Sequence, residues 1–256
     1  MLRGPETNMK ITFLGTSHGL AEKNRFMSSA LVESNGCSYL VDAGAPADSL
    51  MVNMDKSFFK LKSVFITHMH ADHVMNLTTL AIPLLMFKED DRNKSLYFPT
   101  FEGRVAYLTW MEALHNNMKY LAENIDMKVT SKGKIYEDEN LTVSAVPTRH
   151  FPPDWSSVKS WGYVFEENGK RVLFTGDLSG NFPEYPEMVK DQHFDLVVCE
   201  MAHSNLCDVE DILKNTSTEK MVITHYHMPK LGDYPSVFET FPFPVRLVHD
   251  GEVIEL

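Results

Sequence analysis

Short apolar runs separated by polar clusters recur along the chain. Runs at 9–14, 28–32, 39–41, 63–66, 134–136, 141–146, 161–165, 171–174, 194–199, 221–224, 243–247 and 253–256 have strand length and strand composition. Asn35-Gly36 and Asn168-Gly169 fall between pairs of such runs and predict two β-hairpins, because both turn residues must take positive φ. Helices are expected at 46–54, with Pro46 near its first turn, at 74–82, and at 209–213 with Asp208 as its cap. Residues 104–121 have helical spacing, with Trp110, Leu114, Met118 and Leu121 on one side as candidate core. The rest of 84–130 shows no clear period. With no repeat, low-complexity tract or linker, residues 9–256 read as one domain after a disordered leader at 1–8.

The polar clusters come just after the apolar runs: Ser17/His18, Asp42, His68 to His73, His150, Asp177, Glu200/His203 and His225. Seven of the eleven histidines occupy these positions, so they belong at strand ends, where layered α/β folds gather functional groups on one rim. The densest cluster is Thr67-His68-Met69-His70-Ala71-Asp72-His73. His68 and His70 are two apart and point to one side of an extended backbone. Asp72 and His73 follow where the chain turns and aim at a neighbouring point. The plain alternative is a few surface histidines near a helix start, with Asp72 as the cap.

Two divalent ions side by side need about eight contacts from imidazole nitrogen and carboxylate oxygen. His68, His70 and His150 would hold one ion, Asp72, His73 and His225 the other, and Asp177 would bridge them through its two oxygens. Each ion keeps a position for a shared hydroxide, which ions about 3.5–4 Å apart make available at neutral pH. Zinc is the first expectation; manganese and iron suit the same donors.

T-H-M-H-A-D-H, with Asp42 in V-D-A-G, His150, F-T-G-D-L at Asp177 and I-T-H at His225, resembles the metallo-β-lactamase-fold hydrolase superfamily from Met9 onward. The opening F-L-G-T-S-H-G, with Arg25 and Ser28-Ser29 downstream, is similar to its RNase Z-like and phosphodiesterase-like branch. The resemblance implies an α/β fold, a four-layer αββα sandwich of two mostly antiparallel or mixed sheets with helices outside. It implies the same ligand roles and makes Asp42 an orienting residue behind them. It also favours a Glu200/His203 pair, His203 donating a proton to the leaving oxygen or binding a substrate oxyanion. The chain departs from the tRNA-processing members, which carry an exosite arm between the third and fourth motifs; His150 and Asp177 are only 27 positions apart.

Composition narrows the choice. The net charge of −11 and pI near 5.4 exclude a broad basic surface, so tRNA is not expected as the substrate and a small molecule is. Three cysteines without a C-x-x-C pattern point to a reducing compartment, with the cytoplasm as the default. No apolar run reaches the roughly 20 residues of a membrane span. The expected reaction is hydrolysis of a phosphodiester or cyclic phosphodiester, with Asp72 also able to accept a proton and His18, Ser17 and Arg25 reaching substrate from the first loop. Arg149 and His227 are expected to be structural. The alternative is hydrolysis of a carboxylic ester, thioester, lactone or amide, for which Met69, Met75, Phe151, Trp155 and Tyr226 would build an apolar slot. A homodimer is compatible with either.

Overall fold

A computed structural model describes residues 9–88, 92–151 and 159–256. The leader at 1–8 and the expected wall residue Trp155 lie outside the described residues. Two seven-stranded sheets face each other. The first contains β1 (Lys10–Gly15), β2 (Ser29–Ser34), β3 (Cys37–Val41), β4 (Leu61–Phe65), β5 (Lys94–Phe98), β6 (Ile125–Val129) and β14 (Val253–Glu255), in the order 14-1-2-3-4-5-6. The second contains β7 (Gly133–Glu137), β8 (Thr142–Thr148), β9 (Ser160–Glu167), β10 (Lys170–Phe174), β11 (Leu196–Met201), β12 (Met221–Tyr226) and β13 (Val245–Leu247), in the order 13-12-11-10-9-8-7.

Each sheet is half antiparallel and half parallel. Strands 14-1-2-3 pair antiparallel and 3-4-5-6 parallel; 7-8-9-10 pair antiparallel and 10-11-12-13 parallel. Parallel neighbours need crossovers. These are supplied by α1 (Ala47–Asn53), α2 (Ala71–Val74), α3 (Leu77–Met86), α4 (Phe101–Ala113) and α5 (Met118–Asn124) on the first sheet, and by α6 (Tyr185–Val189), α7 (Leu206–Lys214), α8 (Met228–Leu231) and α9 (Tyr234–Phe238) on the second.

Period-two alternation explains the layers. In β3 and β4, Tyr39, Val41 and Phe65 pack between the sheets against Tyr163, Phe165 and Phe174. Their neighbours Leu40 and Val64 point outward, onto Leu50, Met51, Leu80 and Leu84 of the first helix layer. In β10 and β11, Val172 and Val198 face the central core, while Leu173, Val197 and Cys199 meet Leu206, Val209 and Leu213 of α7. The result is the expected αββα sandwich. Both Asn-Gly hairpins form, with Asn35, Gly36, Asn168 and Gly169 all at positive φ.

Several local expectations are corrected. The helix expected over 104–121 is two helices, broken at His115, whose φ is +59°. Its buried face is Gly103, Tyr107 and Met111, four residues apart, while Trp110 and Leu114 are 44% and 51% exposed. Asp208 lies in the first turn of α7; the N-cap position is Asn205, whose amide donates to Asp208 Oδ2 at 2.7 Å. Asp72 does not cap α2 either, since the N-cap position is His70. Strands β5 and β6 have no counterpart among the expected elements. No helix among the described residues is long and apolar enough to cross a membrane.

Candidate metal centre

The crossovers deliver polar residues to one rim. Asp42 follows β3, His68 to His73 follow β4, Asp177 follows β10, Glu200 and His203 follow β11, and His225 lies near the end of β12. His150 follows β8 from the antiparallel half. His225 is the extra residue of a bulge: Glu200 pairs with Thr224 and Met201 with Tyr226. The bulge, with φ of +45° at His225, re-aims that side chain.

The groups foreseen from spacing come together. Ligand-capable atoms of His68, His70, His150 and Asp177 lie within 4.8 Å of one another, as do those of Asp72, His73 and His225. A third grouping joins Asp177, His203 and His225. At the middle is one oxygen, Asp177 Oδ2. It faces Nε2 of His225 at 3.3 Å, His73 at 3.5 Å, His68 at 3.6 Å, His203 at 3.8 Å and His150 at 3.9 Å. The expectation that the two carboxylate oxygens divide this task is therefore refined, because the same oxygen faces both groups. Asp72 Oδ2 lies 3.3 Å from His73 Nε2 and 3.8 Å from His225 Nε2.

The imidazoles are held in the tautomer that a metal requires. His73 Nδ1 donates to Asp42 Oδ2 at 2.7 Å, and His150 Nδ1 to the Leu178 carbonyl at 3.2 Å. His68 Nδ1 contacts Thr67 Oγ1 at 3.1 Å, and the Thr67 hydroxyl itself donates to Asp42. In each, Nε2 is then the unprotonated nitrogen and is turned towards the centre, where His150 Nε2 lies 3.1 Å from His70 Nδ1. The Nε2 atoms of His68 and His73 are buried with no hydrogen-bond partner among the described residues. Such orphaned nitrogens, around a carboxylate only 3% exposed, fit divalent metal ions.

Without an ion, the charges report the same crowding. Burial pushes the His68 imidazole well down, and neighbouring His73 adds to this. Burial would also depress His73, but Asp177 and Asp42 outweigh it and hold the group well above the ordinary range. Burial would raise Asp177, yet His225, His73 and His68 keep it far below a normal carboxylate. Asp72, against its own burial, is held at about 2 by His73 and His225.

Glu200 and His203 meet as anticipated. His203 Nδ1 donates to Glu200 Oε1 at 2.9 Å, while Glu200 also accepts the backbone N–H groups of Leu178, Ala202 and His203. Burial works against it, but the Glu200 carboxylate raises the His203 pKa. A cavity of about 40 Å³, room for a water, is lined by Asp177, His73 and His225 among others. His70 is exposed and the His203 side chain is 31% exposed, so the centre is open to solvent on their side.

The first loop has mostly internal partners. Arg25 binds Glu22 Oε2 at 2.6 Å, the Tyr226 carbonyl at 3.1 Å and the Thr16 carbonyl, and lies 3.8 Å above the Tyr226 ring. Ser17 Oγ donates to the Leu20 carbonyl at 2.6 Å. These contacts make both residues anchors of the loop. His18 stacks on His227 at 4.3 Å, with Nδ1 3.2 Å from Glu22 Oε2, an approach too bent for a good hydrogen bond. The loop lies on the centre: a Cβ at Gly19 would stand 2.9 Å from Asp72 Oδ2.

Sequence reasoning passed over Glu22, which collects Arg25, His18 and Ser17, and Glu184, which accepts Ser179 N and Oγ and Arg149 N. Neither sits in a recognisable pattern. Of the residues expected to build an apolar slot, Phe151 stands at the centre, its ring 5.1 Å from that of His70 and 5.2 Å from that of His150, while Tyr226 is buried with its hydroxyl on His249 and Met69 packs against Gly103 on α4.

Known proteins share both sequence and fold with this chain. Residues 9–238 match the family model described as Anti-Pycsar protein Apyc1. Ribonuclease Z of Borrelia hermsii is 29% identical over 187 residues, 70% of this chain and 55% of the relative. The chain thus spans about half the length of the curated relatives it matches. Their name runs against the expectation that tRNA is not a substrate. Among solved structures, the metallo-β-lactamase fold protein YhfI of Bacillus subtilis superimposes with a TM-score of 0.77 at 19% identity, covering 97% of this chain and all of the other. The short form of human tRNase Z gives 0.72 at 19% identity, covering 96% and 98%. This chain has the metallo-β-lactamase fold and belongs to the family described as Anti-Pycsar protein Apyc1.

Proposed function

We propose that the chain is a metal-dependent hydrolase of phosphodiester or cyclic phosphodiester bonds, acting on a small molecule. The observation that carries this reading is the convergence of five imidazole Nε2 atoms, from two ligand groups and His203, on Asp177 Oδ2 at 3.3–3.9 Å. His68, His70 and His150 would hold one divalent ion, Asp72, His73 and His225 a second, and Asp177 both. Zinc is the first candidate, with manganese or iron suited to the same donors. Bound there, such ions supply Lewis acidity towards a phosphoryl oxygen and lower the pKa of water from 15.7 towards about 7.

The chain's own residues do the rest. Asp42 holds His73 and, through Thr67, His68, so the donors are oriented before substrate arrives. Glu200 fixes the His203 ring with Nε2 turned to the centre, where its proton can pass to the leaving alkoxide oxygen. The first loop, anchored by Arg25 and Ser17, brings Gly19 against Asp72, with His18 beside it stacked on His227. The names of the relatives keep RNA as a competing substrate, to be tested beside cyclic and linear nucleotides.

The test is hydrolysis of bis-p-nitrophenyl phosphate by metal-loaded protein, with Asp177→Ala as control. Turnover abolished in the variant supports the proposal. A protein that holds two ions and leaves this diester intact, while cleaving carboxylic esters, overturns it.

A homodimer belongs to the same proposal. Ile82 and Met86 of α3, Phe101, Val105 and Trp110 of α4, and Leu114 just after it are exposed large apolar residues that a partner copy would cover. Sedimentation velocity should give a dimer that Trp110→Glu with Leu114→Glu dissociates; a wild-type monomer would remove this part.

A further inference from the structure

Donors carried on loops need a rigid backing if they are to meet at one point. On the first sheet, His73 and, through Thr67, His68 rest on Asp42. On the second, His150 after β8 and Asp177 after β10 have a different support, Glu184. Glu184 is 7% exposed and occupies the N-cap position of α6, yet its side chain does not cap that helix. It turns back to the two loops instead. Oε1 accepts the backbone N–H of Ser179 at 2.9 Å and that of Arg149 at 3.2 Å, and Oε2 accepts the Ser179 hydroxyl at 2.7 Å. Arg149 immediately precedes His150, and Ser179 is two residues past Asp177.

These bonds close a ring. His150 Nδ1 donates to the Leu178 carbonyl at 3.2 Å, so the two loops are joined once through the imidazole and once through Glu184. The ring is pinned from outside as well. The His150 backbone N–H donates to Ser160 Oγ at 3.3 Å, that of Leu178 to Glu200 Oε1 at 3.0 Å and that of Asn181 to Ser204 Oγ at 2.7 Å. The Asp177 loop does not hold this shape by intrinsic preference. Asn181 and Phe182 have φ of +63° and +49°, and Phe182 is a bulky, fully buried residue in a region such residues rarely adopt. A buried carboxylate is costly unless its oxygens are paired. Both oxygens of Glu184 accept, and an apolar side chain there would leave three donors without these acceptors.

We propose that Glu184 is a positioning residue of the metal centre, fixing His150 and Asp177 relative to each other. This rests on the reading of the site as a two-ion centre and adds a division of labour to it. The ion of His68, His70 and His150 depends on Glu184, whereas the ion of Asp72, His73 and His225 leans on Asp42 through His73. Glu184 acts through the backbone beside the donors and is not itself a ligand.

Cobalt(II) titration of chelated protein against a competing chelator, followed by the visible absorption of the bound ion, tests this. The wild type should take up two ions in two steps. Glu184→Ala should weaken one step by about 10–100-fold and leave the other within about threefold. Glu184→Gln, close in shape but with one acceptor oxygen in place of two, should fall between them, and it carries the test where the alanine variant does not fold. In a His150→Ala background the ring is already open, so Glu184→Ala should move neither step by more than about threefold. Tyr185→Phe is the control for plain destabilisation. It removes the buried hydrogen bond to Thr216 at 2.8 Å from the same helix, and should lower Tm while leaving both steps in place. Wild-type affinities in both Glu184 variants, equal weakening of the two steps, or full weakening retained in the His150→Ala background would overturn the proposal. A wild type that takes up fewer than two ions would strike the two-ion reading itself, and the proposal with it.

Discussion

At the scale of single residues, the centre divides into side chains that face Asp177 and side chains that hold those in place. Asp42 has the second role. It takes His73 Nδ1, the Thr67 backbone N–H at 2.8 Å and the Thr67 hydroxyl, all from a backbone position at φ +59° that aspartate tolerates better than most residues. Asp42→Ala should therefore weaken metal affinity by about 10–100-fold, measured by competition with a chromogenic chelator. Affinity unchanged would show that His73 needs no such support. His203 differs in kind, since one face of the pair it makes with Glu200 is open to substrate. His203→Ala should keep both ions, counted by elemental analysis, while kcat falls on the order of 10²-fold. Loss of one ion would make it a ligand, as its grouping with Asp177 and His225 also permits.

At the scale of elements, legibility followed chemistry. Asn-Gly turns require positive φ, so both hairpins could be placed from sequence. The His and Asp cluster could be read because four donor side chains within six residues, straight after a buried strand, crowd together at a cost that a bound metal offsets. Strand β5 could not be read. Lys94-Ser95-Leu96-Tyr97-Phe98 is buried throughout and includes a lysine, so it shows neither alternation nor an apolar run. In helix α4 the large side chains suggest one buried stripe, whereas the packed face includes Gly103, where Met69 comes close. The same closeness constrains the Gly176 turn between β10 and Asp177. Gly176 has φ of +61°, and a Cβ there would lie 2.6 Å from the Trp161 carbonyl and 3.1 Å from Thr67 Cβ. Gly176→Ala should cost roughly 1–3 kcal/mol and lower Tm by several degrees, seen by calorimetry. An unchanged Tm would mean that the turn relaxes freely. Partners far apart in sequence, such as Glu22 under His18 or Glu184 beside Arg149, have no local signature and emerged only from the fold.

At the scale of the molecule, the centre binds the two sheets together. Its donors come from both: His68, His70, Asp72 and His73 follow β4 of the first sheet, and His150, Asp177 and His225 belong to the second. Ions held there would link the halves; without them the buried Nε2 atoms of His68 and His73 have no hydrogen-bond partner among the described residues. Ions present at about 1,000 times their Kd would add about 4 kcal/mol to folding stability. Chelation should accordingly lower Tm and also broaden the transition if the halves begin to melt separately. An identical melting curve with and without chelator would show that the ions contribute nothing to the fold.

The central claim is that two ions, joined through Asp177, are needed for phosphodiester cleavage. The most direct measurement is turnover of bis-p-nitrophenyl phosphate as zinc or manganese is added back in steps to chelated protein. The account predicts negligible rate at first, a plateau near two equivalents per chain, and no recovery at any loading in Asp177→Ala. Full rate at one equivalent, or undiminished rate in the chelated protein, would contradict it.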